Sequence, residues 1–189
     1  MVLVPVKRSH PELMAMMERH YSAPKGFVGR NIAYLIRAEG ATYGGIVGGS
    51  ATLHLVGRDN YFHLQPESKR EALLSIVNNI FFHIEGPYPE RNFAQRVLRE
   101  FREEITEAWE KKYGDEVAGF ESLVELPRTG EVYKRDHWTE VGITKGQTCK
   151  RVAASDPRRG RLDSWTGKRV WDMANLRPKR VFVRGAETA

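Results

Sequence analysis

His20, Tyr21 and Ser22 are consecutive. An imidazole titrates near neutral pH, so His20 can take a proton from a reacting group as a general base. The two hydroxyls beside it can orient the edge of a nucleobase or donate to a developing oxyanion. A second polar cluster joins a phenol, a carboxylate and an imidazole, Tyr133, Asp136 and His137. If that segment is a regular strand, alternation puts Tyr133, Arg135 and His137 on one face and Lys134, Asp136 and Trp138 on the other. Such a strand cannot bring the whole cluster to one site. Either Asp136 completes a pocket with Tyr133, or Asp136 and His137 cap a hairpin turn.

His20 with Asp136 or His137 offers imidazole and carboxylate groups of the kind that iron or zinc accepts. The six His nevertheless show no HExxH or comparable spacing. Spacing therefore assigns no metal ligands, and iron or another divalent ion stays open. Arg91 and Arg96 flank Asn92 at the head of a long amphipathic segment, where free helix N–H groups and the helix dipole attract an anion. Tyr34, Tyr43, Tyr61 and Phe81 read as core; if one of them stacks an extruded base, it is Tyr43, which adjoins the glycines 44, 45, 48 and 49. No GxxxxGK[ST] phosphate loop occurs.

These groups need elements to hold them. Residues 2–7 read as a first strand, and Ser9-His10-Pro11-Glu12 opens a helix with Leu13, Met16 and Met17 as its apolar stripe. That helix ends near His20, because Pro24 and Gly26 cannot continue it. Residues 32–55 form two runs of small and β-branched residues joined at Glu39-Gly40, a predicted hairpin. Its glycines imply a bulge or the close approach of another backbone or a ligand. A short helix over 67–77, a strand NNIFFHIE and a long helix from Asn92 follow. In the long helix Phe93, Val97, Leu98, Phe101, Ile105 and Trp109 recur at helical spacing, and Gly114 stops it. FESLVEL reads as a strand, and residues 131–146 as two short strands around Asp136-His137. The order predicts a mixed, mostly antiparallel α/β sheet flanked by helices.

Composition supports one packed domain of 189 residues. No stretch reaches the ~20 apolar residues of a membrane span, and Pro5 and Lys7 break the N-terminal apolar run before a signal core forms. A cytoplasmic protein is expected. Cys149 is the only cysteine, so neither an intrachain disulfide nor a cysteine-based zinc site can be written. Between residues 150 and 184 stand eleven Lys or Arg against three Asp, a local charge of +8 in a chain whose total is +6. Residues 1–149 read as the catalytic domain and 150–189 as a basic C-terminal segment. Arg158, Arg159, Arg161, Lys168 and Arg169 of that segment are expected to hold the phosphates of double-stranded DNA, with counterion release supplying the affinity.

Residues 19–36 and 121–146 together resemble the Mom family of phage DNA-modification proteins and the related anti-phage DruA-like proteins, whose fold is similar to that of the GNAT acyltransferases. The resemblance runs from His20-Tyr21-Ser22 through Asn78-Asn79 and Asn92-Phe93-Ala94. It ends on Gly130-x-x-Tyr133 with Trp138, Gly142, Thr144 and Gly146. It spans roughly residues 3–146 and leaves the basic segment outside. It implies a transferase that attaches a small amide-bearing, carbamoylmethyl-like group to the exocyclic amine of adenine in duplex DNA and so evades restriction. His20, Tyr21, Ser22, Tyr133 and Asp136 then become the catalytic set. Lys25, Arg30, Tyr43, Asn79, Arg91, Asn92 and Arg96 become contacts to substrate or to a small-molecule group donor. GNAT enzymes carry a glycine loop for the pyrophosphate of acyl-CoA. The corresponding PYPERNFAQR holds no glycine, so acyl-CoA is not the expected donor. A GNAT-type acyl-CoA N-acyltransferase acting on a small-molecule or protein amine is the alternative. A non-enzymatic DNA-binding protein is the second.

Overall fold

The computed structural model describes residues 1–22, 27, 29–146, 148–149, 171–172 and 176–186. Strands β1 (Val2–Val6), β2 (Asn31–Ala38) and β3 (Ala41–Ser50) form an antiparallel meander. Glu39 and Gly40 turn the β2–β3 hairpin with φ of 51° and 77°, the left-handed pair that matches strand twist. Strand β4 (Ile76–Ile84) pairs antiparallel with β3 and parallel with β5 (Gly119–Glu125). A parallel neighbour requires a crossover. The long helix supplies it.

Helix α1 (Pro11–Arg19) and that crossover helix lie on opposite faces of the sheet. On β2, Tyr34 and Ile36 face one core while Ala33 and Leu35 face the other, the alternation of a strand buried on both sides. Two short helices, α2 (Val56–Tyr61) and α3 (Lys69–Ala72), precede β4, and α4 (Phe93–Tyr113) is the crossover. The predicted helix over 67–77 is thus cut short, because Ile76 and Val77 are already in β4, fully buried. The glycines of β3 serve helix packing. A methyl at Gly45 would lie 2.8 Å from Leu13 Cδ1 of α1, and one at Gly48 would run into Ile105 of α4. Both helices therefore approach β3 closely.

Two sequence expectations are corrected. Residues 131–135 form helix α5 (Glu131–Arg135), followed by β6 (Thr139–Ile143), in place of two strands around Asp136-His137. Strands β7 (Thr148–Cys149) and β8 (Trp171–Asp172) pair as a separate ribbon. Strand β9 (Lys179–Gly185) enters the main sheet between β5 and β6, giving the order β1-β2-β3-β4-β5-β9-β6. The boundary at 149/150 therefore does not separate a folded body from a tail: Val181, Phe182 and Val183 are core. Arg180 pairs with Glu140 at 2.6 Å, Arg177 approaches Glu125 at 3.8 Å, and Arg184 bonds the Asp136 carbonyl. These cations neutralise or satisfy the protein's own groups. Arg158, Arg159, Arg161, Lys168 and Arg169 lie outside the described residues.

Candidate functional site

Strands β4 and β5 run side by side only while Ile76–Asn79 faces Gly119–Ser122, and then diverge. Asn79 sits at the fork. The β3–β4 register shifts between Val47 and Gly48, which leaves Ile80 without a partner in a bulge. The Asn79 amide bridges that bulge, donating to the Phe81 carbonyl at 3.3 Å and the Val47 carbonyl at 3.5 Å. Its Oδ1 accepts from the Tyr133 hydroxyl at 2.6 Å. Ser122 donates from Oγ to the Asn79 carbonyl at 3.3 Å.

The fork opens into a cleft of about 480 Å³. His20, Tyr21 and Ser22 line it from the end of α1, and Val132 and Tyr133 line it from α5. Because α1 and α4 cover opposite faces and α5 packs with the α4 core, the cleft is lined from both faces of the sheet. A donor on one face and an acceptor on the other can meet there at the strand edges.

His20 ends α1 in an extended conformation and is 8% exposed. Its ring contacts Tyr21, Phe81 and His83, with centroids 4.2, 4.9 and 5.6 Å away. The Ser22 N–H donates to His20 Nδ1 at 3.3 Å, so the neutral ring carries its proton on Nε2. Ser22 Oγ lies 2.8 Å from the same Nδ1 and donates to it. Burial lowers the His20 pKa from 6.5 to about 4; His83 and Arg128 push the same way, against a main-chain hydrogen bond at Phe82. The imidazole is therefore uncharged at neutral pH. Burial raises the Tyr133 phenol, so it remains a proton donor to Asn79. Tyr21 is also raised by burial, while the guanidinium of Arg128, 3.5 Å above its ring, opposes the rise.

This displacement has a consequence for stability. Below pH 6.5 the unfolded chain protonates His20, whereas the folded chain resists until about pH 4. The stabilisation is full above pH 6.5 and is lost as pH falls towards 4. We predict a contribution of about 1–2 kcal/mol after discounting for the open cleft. Melting temperatures at pH 7.5 and 5 should show a smaller acid loss in His20→Gln than in the parent. Equal losses would refute it.

The expected site residues are thus divided. His20, Tyr21, Ser22, Asn79 and Tyr133 share the cleft. Asp136 does not: it caps α5, ion-pairs with buried Arg102 and accepts from Trp138 Nε1 at 2.8 Å. Its carboxylate is committed to holding α4, α5 and β6 together, because a buried charge needs compensation. A metal site joining His20 with Asp136 or His137 finds no support in that arrangement. Among the described residues no three His, Cys, Asp or Glu side chains converge. Arg30 pairs with Asp115 and lies over the Tyr113 ring, away from the cleft. Tyr43 packs edge-on against Phe93 at 5.5 Å and is not among the residues that line the cleft. Lys25 lies outside the described residues.

Arg91, Asn92 and Arg96 border a second hollow of about 300 Å³ with Arg99, Arg135 and His137. Arg96 is held by Glu90 at 2.9 Å and Glu100 at 3.5 Å. The hollow adjoins the first turn of α4; Glu90 and Asp136 also line it, so its four Arg outnumber two carboxylates, a balance that suits an anion. Residues that the sequence reading passed over also line the main cleft: Arg128, Glu125, Glu131 and Lys179. Pro127-Arg128-Thr129-Gly130 marked a loop directly after a strand, and that was the available signal. Lys179 carried none.

The seven-stranded mixed sheet flanked by helices matches the fold of GNAT acetyltransferases of known structure. Similar solved structures include an IAA acetyltransferase from Bacillus cereus, 11% identical with a TM-score of 0.54 over 97% of this chain and 98% of that one. The ribosomal-protein-S18-alanine N-acetyltransferase from Escherichia coli is 10% identical with a TM-score of 0.53, over 100% and 95%. A GNAT family acetyltransferase from Elizabethkingia anophelis, determined with acetyl-CoA bound, is 10% identical with a TM-score of 0.53 over 97% of both chains. At these identities the likeness is one of fold. The family model of the Druantia protein DruA matches residues 1–152, and the chain belongs to that family. No curated protein matches it. Among the described residues no helix is long and apolar enough to cross a membrane.

Proposed function

We propose that this chain is a group-transfer enzyme whose acceptor is the exocyclic amine of adenine in double-stranded DNA, carrying a small amide-bearing group from a small-molecule donor. The observation behind this reading is the cleft at the β4–β5 fork, with uncharged His20 hydrogen-bonded to Ser22 on one side and protonated Tyr133 on the other. His20 accepts the proton released by the amine, Tyr133 keeps Asn79 and the β4 bulge in place, and Arg128 brings positive charge to a developing oxyanion. The cations at 158, 159, 161, 168 and 169 position DNA through its phosphates, while the cleft selects the base. Family membership favours a role in the contest between phage and host.

Nucleoside mass spectrometry of DNA from cells expressing the protein tests this. A modified adenosine is expected with the parent and absent with His20→Ala. Unmodified DNA across growth conditions would end the DNA reading. A second reading, N-acylation of a small-molecule or protein amine from acyl-CoA, draws on the cationic hollow at α4, which suits a donor phosphate. It calls for acetyl-CoA to raise the melting temperature without salt-sensitive DNA binding. The DNA reading calls for the reverse pattern.

A further inference from the structure

His20 and Ser22 stand closer to a known chemical arrangement than the two hydroxyl–imidazole neighbours of a helix end require. Ser22 Oγ is 2.8 Å from His20 Nδ1, inside hydrogen-bond reach of a nucleophile and its base. The base is itself held, by ring contacts with Phe81 and His83 and by a main-chain hydrogen bond at Phe82. Both residues line the cleft, and so does Arg128. Past Asn79 the β5-facing edge of β4 has no neighbouring strand, which leaves main-chain groups beside the cleft.

We propose that Ser22 is a nucleophile that carries the acyl group as an ester before passing it to the acceptor amine. This rests on the group-transfer reading of the cleft, but takes the group to be an acyl group joined through its carbonyl in place of a carbamoylmethyl-like one joined through CH₂, and names its donor as an activated acyl ester or thioester. In the first half, Ser22 Oγ attacks the carbonyl carbon of the donor R–C(=O)–X while its proton moves to His20 Nδ1. The tetrahedral oxyanion then collapses, the C–X bond breaks, and X leaves with that proton as HX. In the second half, the amine attacks the ester carbonyl and yields a proton to His20. The C–Oγ bond breaks and Oγ takes the proton back. The net reaction is R–C(=O)–X plus R′NH₂ giving R′NH–C(=O)–R plus HX, with no change of oxidation state.

The full-length protein is incubated without DNA with a fluorophosphonate, with p-nitrophenyl acetate and with acetyl-CoA, and is then examined by intact mass and peptide mapping. A single adduct on Ser22 from the fluorophosphonate and at least one acyl donor is expected. Ser22→Ala should lose it, and His20→Ala should slow labelling at least about 100-fold. Ser22→Cys should retain labelling by the acyl donors, as a thioester, which separates loss of the nucleophile from loss of fold. No adduct from any probe, an adduct on another residue, or transfer to an acceptor at the parent rate by folded Ser22→Ala would overturn the proposal. The outcomes are independent of the DNA reading: a Ser22 ester with unmodified DNA sinks only the acceptor, while modified DNA with an active Ser22→Ala enzyme sinks only the covalent step.

Discussion

Asp136→Asn is expected to lower stability by about 3–5 kcal/mol, because it leaves the Arg102 guanidinium buried opposite a neutral amide. Arg102 and Asp136 are 7% and 6% exposed, and their ion pair joins α4 to the end of α5. Trp138 Nε1 donates to the same carboxylate oxygen at 2.8 Å. The isosteric change keeps the shape, so the loss reports the charge. For a domain of this size the melting temperature should fall by roughly 10 °C. Replacing the pair together, Arg102→Met with Asp136→Leu, should recover much of the loss, since an apolar pair carries no desolvation cost. A thermal melt of the parent and the two variants decides this. A fully stable Asp136→Asn that has lost activity would return Asp136 to the catalytic set.

His20→Ala should lower the rate of transfer by about 10²–10⁴-fold while the protein remains folded. The imidazole sits in the cleft against Ser22 and contributes a base, whereas the adjoining core is carried by Leu13, Met16, Met17 and Phe81. The pH dependence gives an independent check. A His20 of ordinary pKa would give a rate that rises through pH 6.5. With its pKa lowered to about 4, the free enzyme holds the base unprotonated throughout the neutral range, and kcat/KM should be flat from pH 5.5 to 8 on the acid side. An acid limb near pH 6.5 that disappears in His20→Gln would show that the ring is solvated in the working enzyme.

Local pattern carried much of the architecture. The left-handed hairpin turn at Glu39-Gly40, the apolar stripe of α4 and its stop at Gly114 are written in neighbouring residues, because turns and helix faces are short-range. His20-Tyr21-Ser22 could be singled out for the same reason. Alternation misled at 131–135, where a single helical turn is too short to show a period and packing of Val132 and Tyr133 against the α4 core decides the conformation. The basic composition of 177–185 hid a strand. Its apolar core is only Val181-Phe182-Val183, and pairing with β5 and β6, far away in sequence, makes it one. Residue types could nominate both Tyr133 and Asp136. Only the fold could separate them, since the phenol turns inward to Asn79 at the fork of β4 and β5, while the carboxylate three positions on is taken by Arg102. The residues alone determined which groups could do chemistry and most of the elements that carry them. Tertiary structure decided which of those groups meet, because a cleft made by two diverging strands is a property of their non-local pairing.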